Sequence, residues 1–314
     1  MNRRPRFSIE RFGHVRRRLL LVVTGLLTAA LLTWGSGLSL GTAAAPAPGT
    51  PWKVGTDPTF PPFEFRDNAT SQISGFDVDL IEAIGREAGH PIELVALPFD
   101  GIIPALQARS IDAAISSITI TAERARAIDF SRPYFEAGLA IVVREHGPEP
   151  STLEELQGHR IAVQIGTTGA IAANKVPGAQ VSSFDSTPLA LQELANGNAD
   201  AVVNDVPATL YAIQQAHLRG LHIAGKHLST EYYGIALPTD SALEAPINAA
   251  LNKLIADGRY AEIYRKWLGD EPPQLPAVAP ALLQKSTPLA GLDLKQLALN
   301  LLKGAGITLL LTVL

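Results

Sequence analysis

The chain has 314 residues and no cysteine, which excludes disulfides, zinc–thiolate sites and a lipid-modified N-terminal cysteine. Residues 1–18 hold seven arginines and one glutamate, a charge of +6, so the net charge of -4 leaves a charge of −10 on residues 19–314. An acidic body disfavours nucleic acid as a partner, because phosphate binding needs a basic surface. Among the seven histidines only His217 and His222 approach a metal-ligand spacing, and no metal or cofactor is predicted.

Residues 1–45 have the layout of an export signal. Arginines and an apolar run form RRRLLLVVTGLLTAALLTW, and small residues follow in LSLGTAAAPAP. Two alternatives fit this pattern: a signal peptide cleaved near 42–45, or an uncleaved N-terminal membrane anchor whose arginines stay in the cytoplasm. In either case we expect the body of the protein to be exported to the periplasm or another extracytoplasmic compartment, and an uncleaved anchor or the apolar C-terminal segment would tether it to the membrane.

Residues 52–116 are predicted to alternate strands with helices. Short apolar segments predict strands, and apolar residues at helical spacing predict helices. A glycine closes the first helix, and Pro104 falls early in the second. In chain order the segments are WKVGTD, FDVDLIEAIGREAG, PIELVAL, FDGIIPALQARS and DAAIS.

The next stretch, SSITITAERARAIDFSRPYF, is unusual for a core segment. Hydroxyls at Ser117, Thr119 and Thr121 alternate with isoleucines, and Arg124 and an aromatic run follow. Period-two alternation predicts a strand or an extended segment with the three hydroxyls on one face. The pattern indicates that several polar groups converge on one place.

The alternation of strands and helices restarts at Arg160 and continues to Gly269. The segments are RIAVQIG, TGAIAANKV, QVSSF, STPLALQELANG, ADAVVND, VPATLYAIQQAH, EYYGIALP, SALEAPINAALNKLIADG and RYAEIYRKWLG. This alternation predicts an α/β fold with mainly parallel sheets. Two successive series indicate two lobes, and small-molecule sites favour the cleft between such lobes.

The C-terminal region differs in composition. EPPQLPAVAPALLQKSTP is proline-rich, so residues 271–292 are predicted to be a linker. Residues 293–314 are amphipathic at first and almost wholly apolar from Gly304 onward. Two interpretations fit this run: a helix packed on the body, or the start of a membrane segment, which the proline-rich linker favours.

Seven motifs, in this order and spacing, resemble the polar-amino-acid-binding proteins of ABC importers: GTDPTFPPFEF, GFDVDLIEAI, FDGIIPALQ, DAAISSITITAERARAIDFSRPYF, VQIGTTG, ADAVVND and EIYRKW. The resemblance covers about residues 52–270. It implies a two-lobed, type II periplasmic-binding-protein fold, in which two mainly parallel sheets are flanked by helices and a hinge joins the lobes. The first lobe would comprise 52–137 and 231–270, and the second lobe 138–230.

The resemblance also implies a mode of action and partners. A polar or basic L-amino acid would be captured by closure about two crossings, near 134–142 and 227–234. It would then be delivered to an ABC permease, fused or separate, and its cytoplasmic ATPase. The segment LLKGAGITLLLTVL resembles the opening of such a permease, which implies a fusion of binding protein and permease attached to the membrane.

An α-amino acid carries a carboxylate and an ammonium group, both costly to desolvate unless they are paired. Arg124 presents a planar fork of donors and is predicted to bind the carboxylate, although outside this motif it would be a solvated helix residue. The resemblance assigns the Ser117 carbonyl and the Thr119 hydroxyl to the ammonium group. Asp205 would be its counter-ion, or alternatively a helix cap. Backbone N–H groups in QIGTTGA, at Gly166 and the two threonines after it, favour an anion.

For the ligand side chain, the resemblance implies an aromatic pair, Phe60 and Phe99, with Asp57 beside it as an acceptor. Asp57 would attract a cation, accept a hydrogen bond from an amide, and repel a glutamate carboxylate. The sequence departs from glutamine binders of the family, which tend to carry lysine, glycine and histidine at three positions: Gln164, Thr168 and Asn204. We therefore expect arginine, lysine or histidine as the ligand, with glutamine as the alternative.

The candidate ligand-binding residues are Asp57, Phe60, Phe99, Ser116, Ser117, Thr119, Arg124, Gln164, Thr167, Thr168, Asn204 and Asp205. No catalytic residue is predicted. One alternative function is a cyclohexadienyl dehydratase on the same fold, which would need a positioned acid that the motifs do not supply. The other is the sensing domain of a membrane receptor, which the residues after Leu314 would distinguish from an importer.

Overall fold

The computed structural model describes Ala47, 49–215, Leu218 and 220–283. The predicted export signal, the predicted permease-like segment, most of the second half of the linker and His217 lie outside these residues. Within the described ranges, no helix is both long enough and apolar enough to cross a lipid bilayer.

The described chain alternates short strands with helices. The strands are β1 (Trp52–Thr56), β2 (Thr59–Phe60), β3 (Glu64–Arg66), β4 (Ile73–Ser74), β5 (Ile92–Ala96), β6 (Ala113–Ala114), β7 (Asp129–Phe130), β8 (Phe135–Ala137), β9 (Leu139–Arg144), β10 (Arg160–Gln164), β11 (Gln180–Phe184), β12 (Ala201–Asp205), β13 (Leu221–Ala224), β14 (Glu231–Tyr233) and β15 (Ala236–Leu237). The helices are α1 (Phe76–Ala88), α2 (Phe99–Gln107), α3 (Thr168–Ala173), α4 (Thr187–Ala195), α5 (Val206–Gln215), α6 (Glu244–Ala256), α7 (Arg259–Leu268) and α8 (Pro280–Leu283). Single 3₁₀ turns span Arg124–Arg126 and Glu154–Leu156.

The first five-stranded sheet has the order β5-β1-β6-β15-β7. Strand β1 runs parallel to β5 and β6, whereas β15 runs antiparallel to both of its neighbours, so one strand of five is reversed. Helix α1 buries Phe76, Leu80, Ile81 and Ile84, which share one face at helical spacing. Helices α1, α6 and α7 pack on one apolar cluster of this sheet and α2 on another. We call this sheet with its helices lobe 1.

The second sheet has the order β11-β10-β12-β9-β13 and, like the first, contains one reversed strand. Strands β11, β10 and β12 are parallel, and β9 is the reversed strand between β12 and β13. Two apolar clusters cover this sheet, one that includes residues of α3 and one that includes residues of α4 and α5. We call this sheet with its helices lobe 2.

A two-stranded antiparallel ribbon of β8 and β14 joins the two lobes. The chain enters lobe 2 through β8 and returns to lobe 1 through β14, and each reversed strand follows one of these crossings. At the end of β8 the two crossings approach closely, because a Cβ atom on Gly138 would lie 2.1 Å from the carbonyl oxygen of Ser229. Only glycine fits this contact.

Residues 116–121 differ from the predicted alternating strand. Ser117 has a φ of 49°, a left-handed conformation that interrupts the period-two alternation. The Thr121 hydroxyl accepts the Arg124 N–H at 3.1 Å and so caps the 3₁₀ turn instead of joining Ser117 and Thr119. The prediction that the three hydroxyls share one face is therefore wrong for Thr121.

The predicted linker also has structure in its first half. It leaves α7 as irregular chain, but Ala279 is buried in the apolar cluster of lobe 1 that contains Ile118 and Ile120, and α8 follows. The proline-rich segment therefore packs back onto lobe 1 close to the crossings.

Candidate functional site

A cavity of about 350 Å³, counted to its opening to solvent, is lined by residues of both lobes. Several of these residues follow or end the parallel strands β1, β6, β10 and β12, and the carboxyl ends of parallel strands are where α/β proteins bind ligands. The cavity brings together all twelve residues predicted from the sequence and adds Glu64. The lining residues are Asp57, Phe60, Glu64, Phe99, Ser116, Ser117, Thr119, Arg124, Gln164, Thr167, Thr168, Asn204 and Asp205.

Arg124 lies at the start of its 3₁₀ turn and is 7% exposed. Its Nη1 donates to the Thr119 carbonyl at 2.8 Å, and its Nη2 donates to the Gly166 carbonyl of lobe 2 at 3.0 Å. The guanidinium lies over the Phe99 ring, 5.4 Å from the ring centroid. Burial lowers the pKa of Arg124, and the nearby negative charges of Glu231 and Asp205 oppose that shift. Two bonds leave three of the five N–H donors of Arg124 for other acceptors.

Asp205 ends β12 at the opposite wall of the cavity. Its Oδ2 accepts the Tyr233 hydroxyl at 2.9 Å, whereas its buried Oδ1 has no hydrogen-bond partner among the described residues. Burial raises the pKa of Asp205 to about 7, the charge of Glu231 adds to this effect, and Tyr233 and Arg124 oppose it. A buried acceptor without a donor is costly, which favours a ligand that supplies one.

Asp57 follows β1 and is 4% exposed. Its Oδ1 accepts the Thr59 hydroxyl at 2.9 Å, and its Oδ2 accepts the Gln164 amide of lobe 2 at 2.9 Å. Burial raises the pKa of Asp57, while these two hydrogen bonds lower it. The Phe99 backbone N–H is a third donor to this carboxylate, which can accept about four hydrogen bonds, so Asp57 keeps capacity for a donor in the cavity.

Gln164 belongs to a buried polar network behind the cavity. Its Oε1 accepts the backbone N–H and the hydroxyl of Thr187, at 3.1 and 2.9 Å. The Thr187 hydroxyl also lies 3.1 Å from Asn204 Oδ1, and Asn204 Nδ2 donates to the Thr209 hydroxyl at 3.0 Å. This network holds the Gln164 amide toward Asp57, so Gln164 links the lobes at one end of the cavity.

Ser116 and Ser117 rest on a buried pair of acids. The Ser116 hydroxyl accepts the Asp57 N–H at 2.9 Å and donates to Glu64 Oε1 at 3.1 Å, so it positions Asp57. The Ser117 N–H donates to Asp77 Oδ2 at 2.8 Å, which stabilises its left-handed backbone. Burial raises the pKa of Asp77 to about 6 and that of Glu64 well above its usual range. The charge of Asp77 adds to the effect of burial on the pKa of Glu64.

The threonines at the lobe boundary have different partners. Thr167 is the N-cap of α3: its hydroxyl accepts the Ala170 N–H at 3.1 Å and donates to the Gln164 carbonyl at 2.8 Å. The hydroxyls of Thr119 in lobe 1 and Thr168 in lobe 2 both donate to Glu231 Oε2, at 2.8 and 2.9 Å. Glu231 thus joins the lobes at the end of the cavity where Arg124 and Asp205 lie.

Sequence reasoning missed four residues that hold this site: Glu64, Thr187, Glu231 and Tyr233. Glu64 and Thr187 have no diagnostic spacing, and only the folded chain brings Glu64 to the cavity wall and Thr187 behind it, against Gln164. Glu231 and Tyr233 alternate in EYYGIALP, and their positions at the second predicted crossing could have indicated side chains directed at the cleft.

Comparison with known proteins identifies the family. The family model of bacterial extracellular solute-binding proteins, family 3, matches residues 52–270. The chain is 34% identical over 237 residues to a probable histidine-binding protein of Neisseria gonorrhoeae, covering 73% of this chain and 88% of that protein. It is 34% identical over 242 residues to an L-arginine-binding protein of Pseudomonas aeruginosa, covering 74% and 92%. The chain therefore belongs to family 3 of the bacterial extracellular solute-binding proteins.

Solved structures agree with this assignment. An ancestral arginine-binding protein bound to arginine is 45% identical with a TM-score of 0.67, covering 70% of this chain and 99% of that one. An ancestral amino acid-binding protein, a precursor of cyclohexadienyl dehydratase, is 37% identical with a TM-score of 0.65, covering 70% and 96%. The predicted α/β fold of periplasmic binding proteins is confirmed. The relatives reported above are all named as binding proteins.

Proposed function

We propose that this protein captures a polar L-amino acid outside the cytoplasm and delivers it to an ABC-type permease. One observation carries the proposal: the Arg124 guanidinium and Asp205, whose buried Oδ1 lacks a partner among the described residues, border the same cavity. A donor fork and an unpaired carboxylate oxygen match the α-carboxylate and the α-ammonium group of an amino acid. The division into lobes at 137–138 and 230–231, with a hinge at the crossings, belongs to this proposal.

The opposite end of the cavity would bind the ligand side chain. Asp57 is the acceptor there and Phe60 supplies aromatic surface, while Phe99 lies beside both ends, because its backbone contacts Asp57 and its ring lies under the Arg124 guanidinium. Asp57 favours an ammonium or guanidinium group, accepts from an amide, and disfavours a carboxylate. Arginine, lysine or histidine is therefore the proposed ligand, with glutamine next. The names of the relatives, which include arginine-, histidine- and glutamine-binding proteins, support this ligand class.

The extracytoplasmic setting, the permease with its ATPase, and the attachment to the membrane complete the proposal. Membership of an extracellular solute-binding family supports the setting. The basic and apolar composition of residues 1–45 supports export by a signal, and the apolar composition of 293–314 supports attachment.

We also propose that the protein is not an enzyme, although its cavity contains proton-holding groups. Glu64 lines the cavity with a raised pKa, a feature that the sequence did not reveal. However, the Ser116 and Ser117 hydroxyls donate to its two oxygens, at 3.1 and 3.5 Å, so both oxygens of Glu64 already have partners in the cavity wall. Incubation with prephenate or arogenate should give no product, and turnover of either compound would contradict this part of the proposal.

Asp57→Asn should change ligand preference in a defined direction. The wild type should rank arginine or lysine at or above glutamine, and glutamine far above glutamate. A charge-assisted hydrogen bond is worth about 1.5–3 kcal/mol, so the variant should bind arginine roughly ten- to a hundredfold more weakly. Its affinity for glutamine should change less, and the difference between its affinities for arginine and for glutamate should become smaller. A thermal-shift panel over the twenty amino acids, run on both proteins, measures this.

Asp100→Asn is the matched control. Asp100 is an exposed carboxylate close enough to Asp57 to raise its pKa, but it does not line the cavity. The control should keep the wild-type ranking. Tight glutamate binding by the wild type would contradict the assignment of Asp57.

A further inference from the structure

Glu231 is an acidic residue at the crossing between the lobes that the proposed binding of the α-groups does not use. Its Oε2 accepts one hydroxyl proton from Thr119 in lobe 1 and another from Thr168 in lobe 2. Its Oε1 accepts the Ser229 hydroxyl at 3.2 Å, and the Ser229 oxygen in turn accepts the Leu139 N–H at 3.1 Å. Both carboxylate oxygens therefore have hydrogen-bond partners, Oε2 in the two lobes and Oε1 at the second crossing, and these bonds fix the direction of the side chain.

The hydrogen-bond roles of the two threonines follow from this arrangement. A hydroxyl has one proton to donate and two lone pairs that accept. Because Thr119 and Thr168 both donate to Glu231, each oxygen can only accept a hydrogen bond from a ligand in the cavity that they line. Without Glu231 the hydroxyls could rotate, and each could present either a donor or an acceptor.

Neighbouring groups place this pair of acceptors at the ammonium end of the cavity. Glu231 and Tyr233 are two residues apart in β14, so they lie on the same face of the strand, and Tyr233 donates to Asp205. The charge of Glu231 acts on Asp205, whose pKa it raises, and on Arg124, whose pKa it also raises. The Glu231 carboxylate therefore acts at the same end of the cavity as Asp205 and Arg124.

We propose that Glu231 is a positioning residue for ammonium recognition: by taking both threonine protons, it makes Thr119 and Thr168 acceptors toward the α-ammonium group of the ligand. The inference rests on the proposed function and deepens it. A cationic α-group would meet Asp205 Oδ1 and two oriented hydroxyl oxygens, whereas a ligand without the ammonium group would gain nothing from this orientation.

The test compares L-arginine with its deamino analogue, which keeps the carboxylate and the guanidinium group. Glu231→Ala should weaken L-arginine binding about tenfold or more, since two hydrogen bonds lose their orientation, each worth about a kcal/mol. Binding of the deamino analogue should fall less than roughly threefold, because none of its groups uses those bonds. Calorimetric titration of the variant and the wild type with each ligand gives the ratio of the two proteins' affinities for L-arginine and the same ratio for the deamino analogue.

Two further variants control this comparison. Glu231→Gln can accept both threonine protons on its carbonyl and donate its amide to Ser229, so it should restore most of the preference for L-arginine. Glu136→Ala removes an exposed carboxylate from the partner strand of the crossing ribbon and should leave both affinities unchanged. Equal losses for the two ligands in Glu231→Ala, or no loss for either, would overturn the assignment.

A failure of the proposed function would look different. A wild type that binds no L-arginine would contradict the cationic ligand, and thermal unfolding would then test the hydrogen bond between Glu231 and Thr168 without a ligand. If Glu231 acts through Thr168, Thr168→Val should lower Tm in the wild-type background but not in Glu231→Ala. An equal lowering of Tm in both backgrounds would overturn the assignment.

Discussion

Arg124→Ala is expected to weaken amino-acid binding by a hundredfold or more. The substitution removes the cationic partner proposed for the ligand carboxylate and leaves that charge uncompensated in a buried site. Breaking such a pair costs about 3–5 kcal/mol, and each 1.4 kcal/mol is about tenfold in affinity. Calorimetric titration with L-arginine measures the loss.

Arg126→Ala is the matched control, because Arg126 is an exposed residue of the same 3₁₀ turn. It should bind like the wild type. Arg124→Lys keeps the positive charge but loses the planar fork that reaches the Thr119 and Gly166 carbonyls, so its affinity should lie between those of the wild type and Arg124→Ala. Circular dichroism should show that all three variants fold. Near-normal binding by Arg124→Ala would make Arg124 a structural link between the lobes and no more.

The affinity for L-arginine is expected to fall as the pH drops below 7. The pKa of Asp205 is raised to about 7 in the unliganded protein, and an ammonium group binds only the ionised carboxylate. Below pH 7 binding must displace a proton, so affinity should fall by up to about tenfold per pH unit. Above pH 8 the carboxylate is ionised already and the dependence should disappear.

Two variants separate Asp205 from the other acids of the cleft. Asp205→Asn should bind L-arginine about a hundredfold more weakly at pH 8 and should lose most of the dependence on pH. The pKa is also raised for three other acids: Asp57, Glu64 and Asp77. Any dependence of the affinity on pH that remains in Asp205→Asn is therefore attributed to these three groups. Asp200→Asn is the control, because the Arg160 guanidinium lowers the pKa of Asp200 to about 2. Calorimetry between pH 5.5 and 8.5, in buffers of different ionisation enthalpy, measures affinity and proton release; an unchanged affinity across this range would contradict the role of Asp205.

Local patterns in the sequence predicted the architecture well. The alternation of short apolar segments with helical patterns correctly predicted strands β1, β5, β10, β11 and β12 and the helices between them. This was possible because the spacing of apolar residues and the length of a segment are local properties of the sequence. The twelve candidate site residues were predicted from the motifs of the family resemblance, and the cavity gathers them in part because parallel strands end at one edge of a sheet. The residues 116–121 were predicted less well, since a left-handed Ser117 stabilised by Asp77 depends on a contact far away in sequence.

The roles of individual side chains could not be predicted from the sequence. Ser116 and Thr167 line the cavity as predicted, but their hydroxyls hold Asp57 and the start of α3 in place. The Arg124 guanidinium also lies over the ring of Phe99. Glu231 reaches the cleft because the second crossing passes beside it, which is a property of the topology and of no local pattern. Hydrogen-bond partners are fixed by tertiary contacts, so a residue can be placed at a site before its function there is known.

A calorimetric titration of the protein with L-arginine and with agmatine tests the central claim most directly. Agmatine keeps the guanidinium group and an amine but lacks the carboxylate that Arg124 is proposed to bind. L-arginine should bind to one site per chain, and agmatine should bind at least a hundredfold more weakly or not at all, since a buried charge pair is worth about 3–5 kcal/mol. Equal binding of the two compounds, or no binding of arginine, lysine, histidine or glutamine, would contradict the account.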